Sequence, residues 1–287
     1  MTAPVTGAER FVDLHSHSTA SDGSQLPGDV VRYAHRAGLS AIALTDHDTL
    51  DGVAEARRVG HDLGVRVIAG VELSAHDDEL EVHVLGLHLS DTDEIERALT
   101  VFRTGRRARA ERIVQQLNAI GVPLTLDAVM EQARDAAVGR PHVARAMINE
   151  GWARDSRDAF DRYLGFGKAA YVPKVKLELC DAIALVHRAG GLAIMAHPGS
   201  AASRAAVERI AAIGMDGIEA KHPSHGAEDV ARILALVDHY HLVPSGGSDW
   251  HGAESGTRML GNQRVPMAWL DRQDARVRER AEREKVA

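Results

Sequence analysis

Two histidines lie close together near the amino terminus, in the run Asp13-Leu14-His15-Ser16-His17. Residues 11–17 have the pattern of a β-strand, and successive side chains of a strand point to opposite faces. His15 and His17 therefore share one face, about 7 Å apart along the strand. Together with Asp22 in the next loop, two such imidazoles can bind a metal ion. By themselves these residues are explained equally well as ordinary histidines beside a polar loop.

Further histidines and acidic residues follow later predicted strands in the same way. Each stands at or just beyond the carboxyl end of a strand, except His83, which lies within the predicted strand 81–87. The full set has nine members: His15, His17, Asp22, His47, Glu72, His83, His197, Asp249 and His251. In barrels of alternating strands and helices, active sites form at the carboxyl ends of the strands, where loops from distant parts of the sequence converge. We therefore expect the nine residues to form one site.

Nine imidazole and carboxylate ligands exceed what one metal ion needs. The donor set suits Mn, Fe or Zn, and two to three divalent ions, Mn foremost, are expected to share it. Clustered divalent ions lower the pKa of a bridging water and neutralise phosphoryl oxygens. The predicted chemistry is therefore hydrolysis of a phosphate ester by a metal-bridging hydroxide, with Asp22 and His47 in catalytic positions. The sequence contains no Cys-rich ligand set, Walker loop or Gly-x-Ser-x-Gly elbow.

The order of the predicted elements indicates an α/β fold. Seven short strands alternate with helices, which is typical of a closed (β/α) barrel. From about residue 91 to residue 167 the apolar periodicity is helical, with candidate helices at 93–118, 126–136, 140–150 and 156–164. We therefore predict three parts: a barrel formed by residues 1–90 and 170–270, a helical insertion at 91–169 that covers the substrate site, and a charged tail at 271–287 that forms a solvated helix.

Composition narrows the possible partners and locations. A net charge of -7 over 287 residues argues against a broad nucleic-acid-coating surface, and an aromatic content of 4% argues against a long base-stacking track. Cys180 is the only cysteine, so an internal disulfide is excluded, and its apolar neighbours predict a buried thiol. No apolar run approaches a membrane span, and residues 1–10 lack the apolar core of a signal peptide. These features predict a cytoplasmic enzyme.

Seven motifs resemble those of the polymerase-and-histidinol-phosphatase (PHP) family of metal-dependent phosphoesterases. They are Asp13–His17, Ser21–Gly23, Thr45–Asp48, Gly70–Glu72, Val82–Gly86, Ala196–Pro198 and Gly247–His251. The resemblance implies a distorted seven-stranded (β/α) barrel with a trinuclear metal site in which Glu72 bridges two ions. The implied ligand sets are His15, His17, Glu72 and Asp249 for the first ion, Glu72, His83 and His197 for the second, and Asp22, His47 and His251 for the third.

The helical insertion resembles one branch of the family. Its members are nucleoside 3′,5′-bisphosphate phosphatases, which leave a nucleoside 5′-monophosphate, and related 5′-to-3′ exonucleases on short RNA. The resemblance implies substrate contacts from Arg103, Thr104, Gly105, Arg106, Arg140, Lys168 and His225. Arginine suits this role because its guanidinium can contact a phosphate with two parallel hydrogen bonds. The nearby Arg107, Arg109 and Arg112 are expected on a solvated helix face.

Several alternatives stay open at this point. The same chemistry could act on the 5′ end of an oligonucleotide or on histidinol phosphate, and either His225 or a metal-bound water could protonate the leaving 3′-oxygen. A catalytically silent barrel that binds metal or nucleotide is disfavoured, because none of the nine ligands is missing. Asp46 and Asp48 are predicted to orient His47, whereas His142 and His222 have no predicted role. A small nucleotide is the expected partner, and the oligomeric state is left open.

Overall fold

A computed structural model describes residues 9–78, 80–133, 138–173 and 177–284 of the chain, without the side chains of residues 102, 103 and 284. The chain divides into two compact units. The barrel unit lies within Met1–Glu96 and Leu177–Ala287, and the helical unit lies within Arg97–Lys176. The helical unit begins at residue 97, inside the predicted insertion, and ends at residue 176, after the predicted end at residue 169. Of the helices in the described ranges, none is both long and apolar enough to cross a membrane.

One sheet of eight strands, counted over the described residues, forms the barrel unit in the order β7-β6-β5-β4-β3-β2-β1-β8. The strands are β1 (Phe11–Asp13), β2 (Ala41–Leu44), β3 (Arg66–Asp77), β4 (Leu80–Leu87), β5 (Leu192–Met195), β6 (Gly217–Lys221), β7 (Val243–Gly246) and the two-residue β8 (Val265–Pro266). The sheet curls so that the Leu14 N–H donates to the Gly246 carbonyl at 3.0 Å. The carboxyl ends of β1 and β7 therefore meet, and the predicted α/β barrel is confirmed.

The strands are parallel except for β4, which pairs antiparallel with both β3 and β5, and for β8, which pairs antiparallel with β1. The antiparallel partner extends β3 far beyond the predicted end at residue 69, so Glu72 lies within the strand and not after it. Gly70 and Glu72 interrupt the apolar run in the sequence, which is why the pattern alone ended the strand too early. The first strand is shorter than predicted: β1 ends at Asp13, whereas the sequence pattern predicted a strand to residue 17.

The barrel interior is a continuous apolar core. It contains buried side chains from β1, β2, β4 and β5, among them Val12, Ala43, Leu85 and Ile194. Helices cover the outside: α1 (Pro27–Arg36), α2 (Val53–Leu63), α7 (Leu179–Arg188), α8 (Arg204–Ala212), α9 (Ala227–His239) and α10 (Met267–Glu284). The thiol of Cys180 in α7 is exposed, so the prediction that it is buried is wrong.

The described carboxyl-terminal residues form helix α10, in agreement with the predicted helix from residue 271, but one face of this helix is buried and not solvated. Leu270 belongs to the barrel core, Gln273 is fully buried, and Val277 packs against the same core. This spacing of three and four residues places one narrow face inward, while the many charges lie on the other faces. The Gln273 side-chain amide donates to the Pro244 carbonyl at 2.9 Å. A buried glutamine among charged residues gave no apolar signal in the sequence.

The helical unit holds most of α3 (Thr92–Ala119), which begins in the barrel unit, and three further helices. These are α4 (Leu126–Ala133), α5 (Arg140–Asn149) and α6 (Ser156–Ala159), the last continuing as a π-helical turn over Phe160–Leu164. Leu117, Val129, Val143 and Met147 are among the buried residues of their shared core. The predicted end of α4 at residue 136 lies outside the described residues.

A buried ion pair attaches α10 to the barrel, and its removal provides a test of this packing. The carboxylate of Asp216 accepts hydrogen bonds from the Ala193 N–H at 2.9 Å and from Arg280 Nη2 at 2.8 Å. We expect Asp216→Ala to lower the free energy of unfolding by about 2–4 kcal/mol, because it leaves a buried N–H and a guanidinium unpaired. Urea denaturation followed by circular dichroism measures the change.

The matched control is Asp238→Ala. Asp238 also pairs with an arginine of α10, Arg272, at 3.3 Å, but its side chain is 71% exposed. Exposed pairs contribute about 0–1 kcal/mol, so this variant should unfold close to the wild-type midpoint. Equal shifts in both variants would contradict a special role for Asp216.

Candidate metal centre

The carboxylate of Glu72 is buried in β3 and lies at the centre of a group of imidazoles. Its Oε2 atom is 3.2 Å from Nε2 of His15, 3.2 Å from Nε2 of His17 and 3.4 Å from Nδ1 of His47. The first two side chains follow β1, and the third follows β2, where His47 forms a bridge to Glu72. Parallel neighbouring strands therefore bring three histidines from two parts of the chain to one oxygen.

The other oxygen of Glu72 faces two further imidazoles. Its Oε1 atom is 2.7 Å from Nδ1 of His83 and 3.1 Å from Nε2 of His197. His83 reaches this position because the antiparallel register places it opposite Ser74, two residues after Glu72. His197 follows β5 and has a φ of +28°, a backbone conformation that is strained for a residue other than glycine.

Asp249 completes a compact group on the Oε2 side. Its Oδ1 atom lies 3.5 Å from Nε2 of His15 and 3.2 Å from Nε2 of His17. One ligand atom each from His15, His17, Glu72 and Asp249 lies within 4.8 Å of the others, so the four could hold one ion. The φ of Asp249 is +49°. Strain of this kind persists only where the surrounding contacts enforce it, and it concentrates at functional sites.

Two more groups adjoin the first. His47, Glu72 and His83 form one, whereas the sequence expectation for the second ion combined Glu72 and His83 with His197. The other group contains His17, Asp22, His47 and His251, with Asp22 Oδ1 3.2 Å from His251 Nε2. The structure thus brings all nine predicted residues together, although it divides them between possible ions in a somewhat different way.

The cluster has the properties that a metal site requires. The Nε2 atoms of His15 and His17 are only 3.1 Å apart, an arrangement that needs a proton or a cation between two lone pairs. His17 Nδ1 is buried and has no hydrogen-bond partner among the described residues. Imidazole nitrogens with carboxylate oxygens are ordinary ligands of divalent transition metals. The donor set therefore fits divalent ions, while the geometry does not identify the metal.

The electrostatics of the cluster are consistent with a need for cations. Burial by itself would raise the pKa of Glu72, but His15, His17 and His197 hold the pKa of this carboxyl well below its ordinary value. For His83, burial would lower the pKa, but hydrogen bonds to Glu72 and Glu81 raise the pKa to about 9. The raised pKa values of His15, His17 and His83 favour protonated rings in the absence of metal, and these charges offset those of the carboxylates. Divalent ions would displace those protons on binding.

A buried glutamate that the sequence reasoning missed orients two of the histidines. Glu219 lies in β6, and its Oε1 atom is 3.1 Å from the ring nitrogen Nδ1 of His15. Its other carboxylate oxygen accepts a hydrogen bond from the backbone N–H of His197 at 2.7 Å. Partners of this kind fix the ring orientation of a metal-binding histidine. The sequence does contain a signal for Glu219, because acidic side chains are almost never fully buried without a partner and this one lies between Ile218 and Ala220 in a short buried strand.

Two aspartates shape the loops that carry the ligands. Asp13 accepts the N–H groups of Ser248 and Gly261, each at 2.9 Å, and so attaches the Asp249 loop to β1. Asp46 accepts both the N–H and the hydroxyl of Ser18 at 2.7 Å and the hydroxyl of Ser21 at 2.7 Å. These contacts hold the Asp22 loop, whereas the sequence analysis expected Asp46 to orient His47.

Both ring nitrogens of His225 are engaged by the backbone. Nδ1 donates to the Ala220 carbonyl at 2.9 Å, and Nε2 accepts the Gly199 N–H at 3.0 Å. This geometry does not fit the predicted role of His225 as a proton donor. The ring instead connects the segment around Gly199 to the end of β6 by two hydrogen bonds. His222, which had no predicted role, is buried and lies nearer to the ligands, with Nε2 3.4 Å from Asp249 Oδ2.

The predicted substrate residues of the insertion occupy the helical unit. Thr104 and Lys168 are exposed, Gly105 and Arg106 are half-buried, and the side chain of Arg103 lies outside the described residues. Arg140 donates to the Leu164 carbonyl at 3.2 Å, and its guanidinium lies 5.5 Å from the ring centre of Phe160 and 5.6 Å from that of Tyr171. Arg140 is therefore held in place by its surroundings.

Arg109 was expected on a solvated helix face, and this expectation is wrong. Its side chain is only 7% exposed, and its Nε donates to the Val172 carbonyl at 2.8 Å. Burial lowers the pKa of Arg109 to about 10, and the positive charges of Arg140, Arg106 and Arg112 add to this effect. The buried guanidinium of Arg109 therefore lies near other positive charges of the helical unit. The burial of Arg109 could not be predicted from the helical periodicity, because a series of closely spaced arginines is typical of a solvated helix face.

The positioning role of Glu219 can be tested by one isosteric change. We expect Glu219→Gln to weaken binding of divalent metal by about 10- to 100-fold, because the amide no longer favours the His15 tautomer that presents Nε2 to the ion. Metal affinity is measured by competition with a chromogenic chelator. Glu208→Gln on the exposed side of α8 is the control and should bind as the wild type does. An unchanged affinity in Glu219→Gln would refute the role.

Comparison with known proteins agrees with this geometry. The family model for the PHP domain matches residues 13–166. The chain is 34% identical over 258 residues to the 3′,5′-nucleoside bisphosphate phosphatase of Chromobacterium violaceum, covering 88% of this chain and 90% of the relative. It is also 34% identical over 249 residues to the 5′-3′ exoribonuclease Rnm of Escherichia coli, covering 83% of this chain and 84% of the relative.

A solved structure supports the same grouping. An amidohydrolase from Chromobacterium violaceum, crystallised with sulfate and without metal, superimposes with a TM-score of 0.71 at 30% identity, covering 91% of this chain and 96% of the other. The resemblance seen in the sequence motifs is thus confirmed. The chain belongs to the PHP domain family and is a hydrolase that acts on phosphoester bonds.

Proposed function

We propose that this enzyme removes the 3′-phosphate from nucleoside 3′,5′-bisphosphates, such as adenosine 3′,5′-bisphosphate, and leaves the nucleoside 5′-monophosphate. The observation that carries the proposal is a pair of basic side chains in the helical unit: Arg109 is buried and donates to the Val172 carbonyl at 2.8 Å, and the guanidinium of Arg140 lies 5.6 Å from the ring centre of the neighbouring Tyr171. A substrate with a second phosphate needs such cations in addition to the metal ligands. The match to the bisphosphate phosphatase covers 88% of the chain and therefore includes most of the helical unit.

The proposal assigns two to three divalent ions, Mn foremost, to the nine-residue cluster. His15, His17, Glu72 and Asp249 would hold the first ion. Glu72 and His83 would hold the second, together with His47 or His197, and Asp22 and His251 would hold the third with His47. When bound, the ions supply an activated water and neutralise charge on the phosphoryl oxygens.

The side chains around the ions have separate tasks in this proposal. Asp22 is exposed at the edge of the cluster, and its pKa is lowered to about 2 because the hydrogen bond from His251 and the charge of His47 outweigh the effect of burial. It is therefore ionised at neutral pH. Glu219 fixes the orientation of His15, and Arg140, with Lys168 nearby in sequence, binds the phosphate that is not hydrolysed. His225 is assigned to loop positioning, so the proton for the leaving oxygen comes from another group or from water.

A second candidate is a 5′-to-3′ exoribonuclease that acts on short RNA, and one observation favours it. Phe166 in the helical unit is 87% exposed, and its ring lies 5.4 Å from that of Tyr171 in an edge-to-face arrangement. An exposed ring packed against the half-buried ring of Tyr171, near the guanidinium of Arg140, is a platform on which a base can stack. In either role the substrate is a nucleotide, which agrees with the cytoplasmic location predicted from the sequence.

The proposed substrate is tested by phosphate release from three compounds with the Mn-loaded full chain. We expect kcat/KM to be highest for adenosine 3′,5′-bisphosphate, with 5′-AMP as product, and lower for histidinol phosphate and a 5′-phosphorylated RNA trinucleotide. Preference for the trinucleotide would replace the phosphatase assignment with the exonuclease. Preference for histidinol phosphate would remove the nucleotide assignment altogether.

The role of Arg140 is tested with the same assay. Arg140→Ala should raise KM for the bisphosphate by about 10- to 100-fold, because a charge-assisted contact to the 5′-phosphate is lost. KM for 3′-AMP, which lacks that phosphate, should hardly change. Arg154→Ala is the control, since Arg154 is an exposed arginine of the same unit that pairs with Asp158. Equal effects on both substrates would exclude a contact between Arg140 and the 5′-phosphate.

A further inference from the structure

Arg258 stands directly beside the candidate metal centre and had no role in the sequence analysis. Its Nη1 atom lies 2.5 Å from Asp249 Oδ2 and 3.4 Å from the Asp249 carbonyl oxygen. The other carboxylate oxygen, Oδ1, faces His15 and His17. The guanidinium therefore lies on the side of Asp249 that is turned away from these two histidines, adjacent to a proposed metal ligand.

Half of the Arg258 side chain is open to solvent. The side chain is 50% exposed, whereas Asp249 beside it is 14% exposed. A guanidinium carries five N–H donors in a planar fork. Within the described residues, both hydrogen bonds of Arg258 are donated by Nη1 to Asp249. The N–H groups on Nε and Nη2 can therefore bind a second anion at the edge of the cluster.

The segment that carries Arg258 is held in a fixed conformation by its own side chains. The Asn262 amide donates to the Gly256 carbonyl at 2.7 Å, and the Gln263 amide donates to the Thr257 carbonyl at 2.9 Å. The Gly261 N–H donates to the buried carboxylate of Asp13. A cation positioned in this way loses little conformational entropy when it binds an anion, because its backbone is already ordered.

The charges around Arg258 indicate the chemical class of the anion that it would bind. Divalent ions at the cluster would take over the charge of Asp249 and repel a guanidinium a few ångströms away. A phosphate dianion between the ions and the guanidinium removes this repulsion, and its oxygens match the fork geometry of arginine. The group that must lie next to the ions is the phosphoryl group undergoing hydrolysis, not a remote phosphate.

We propose that Arg258 binds the scissile phosphoryl group of the substrate, with Asp249 as its partner in the absence of substrate. This inference rests on the proposed function in placing the reaction at the Glu72 cluster, but it does not depend on which nucleotide is hydrolysed. Arg258 thus differs from Arg140, whose proposed ligand is the phosphate that remains on the product.

The test uses inorganic phosphate as the probe and the Mn-loaded full chain. We expect Arg258→Gln to weaken phosphate binding, measured by equilibrium dialysis with radiolabelled phosphate, by about 10- to 100-fold. The metal content, measured by plasma mass spectrometry, should stay at the wild-type value. Arg258→Lys should recover part of the affinity, because it restores the charge without the fork. In turnover, Arg258→Gln should lower kcat/KM equally for 3′-AMP and for adenosine 3′,5′-bisphosphate.

The control is Arg264→Gln, on the same segment. Its guanidinium lies 4.3 Å from the ring centre of Phe11 and 3.9 Å from Glu9, so phosphate binding should be unchanged. Loss of metal from Arg258→Gln would overturn the proposal in favour of a purely positioning role through Asp249. Wild-type phosphate affinity, or a kcat/KM loss confined to the bisphosphate, would also overturn it. Failure of the proposed function has a different signature, namely preference of the wild type for another ester.

Discussion

The buried carboxylate of Glu72 is the constraint on which the rest of the structure depends. Five imidazoles have a nitrogen within 3.4 Å of its two oxygens. A buried carboxylate is strongly unfavourable without partners of opposite charge. Five protonated imidazoles, however, would repel one another at these distances. Divalent cations would resolve both problems, because they would neutralise the carboxylate and bind the imidazoles in their uncharged form. Folding of this centre and metal binding are therefore physically linked.

The fold supplies what this arrangement needs. The antiparallel pair of β3 and β4 places Glu72 and His83 on neighbouring strands, and barrel closure from Leu14 to Gly246 brings the two histidines that follow β1 to Asp249. Buried acceptors outside the ligand set then hold strained backbone in place, as Asp13 does for the Asp249 loop and Glu219 for His197. The ligands are thus oriented by hydrogen bonds before any ion binds, which favours a defined coordination geometry.

The sequence predicted which residues gather around Glu72 better than it predicted their surroundings. His15, His47 and His197 could be found because their positions at strand ends follow from backbone topology, which local apolar patterns reveal. Glu219, Gln273 and Arg109 could not be identified in the same way. Each is a polar residue whose burial is decided by partners distant in sequence, namely His15, Pro244 and Val172. The length of β3 was underestimated for a similar reason, because strand pairing and not local propensity extends it past Gly70.

The central claim is that Glu72 joins more than one divalent ion in a single cluster. Anomalous diffraction at the manganese edge from crystals of the Mn-loaded full chain tests it most directly. The account predicts two or three peaks within the nine-residue cluster, with Oε1 and Oε2 of Glu72 each within about 2.0–2.4 Å of a different ion. A single peak, or peaks to which Glu72 contributes no ligand atom, would contradict it.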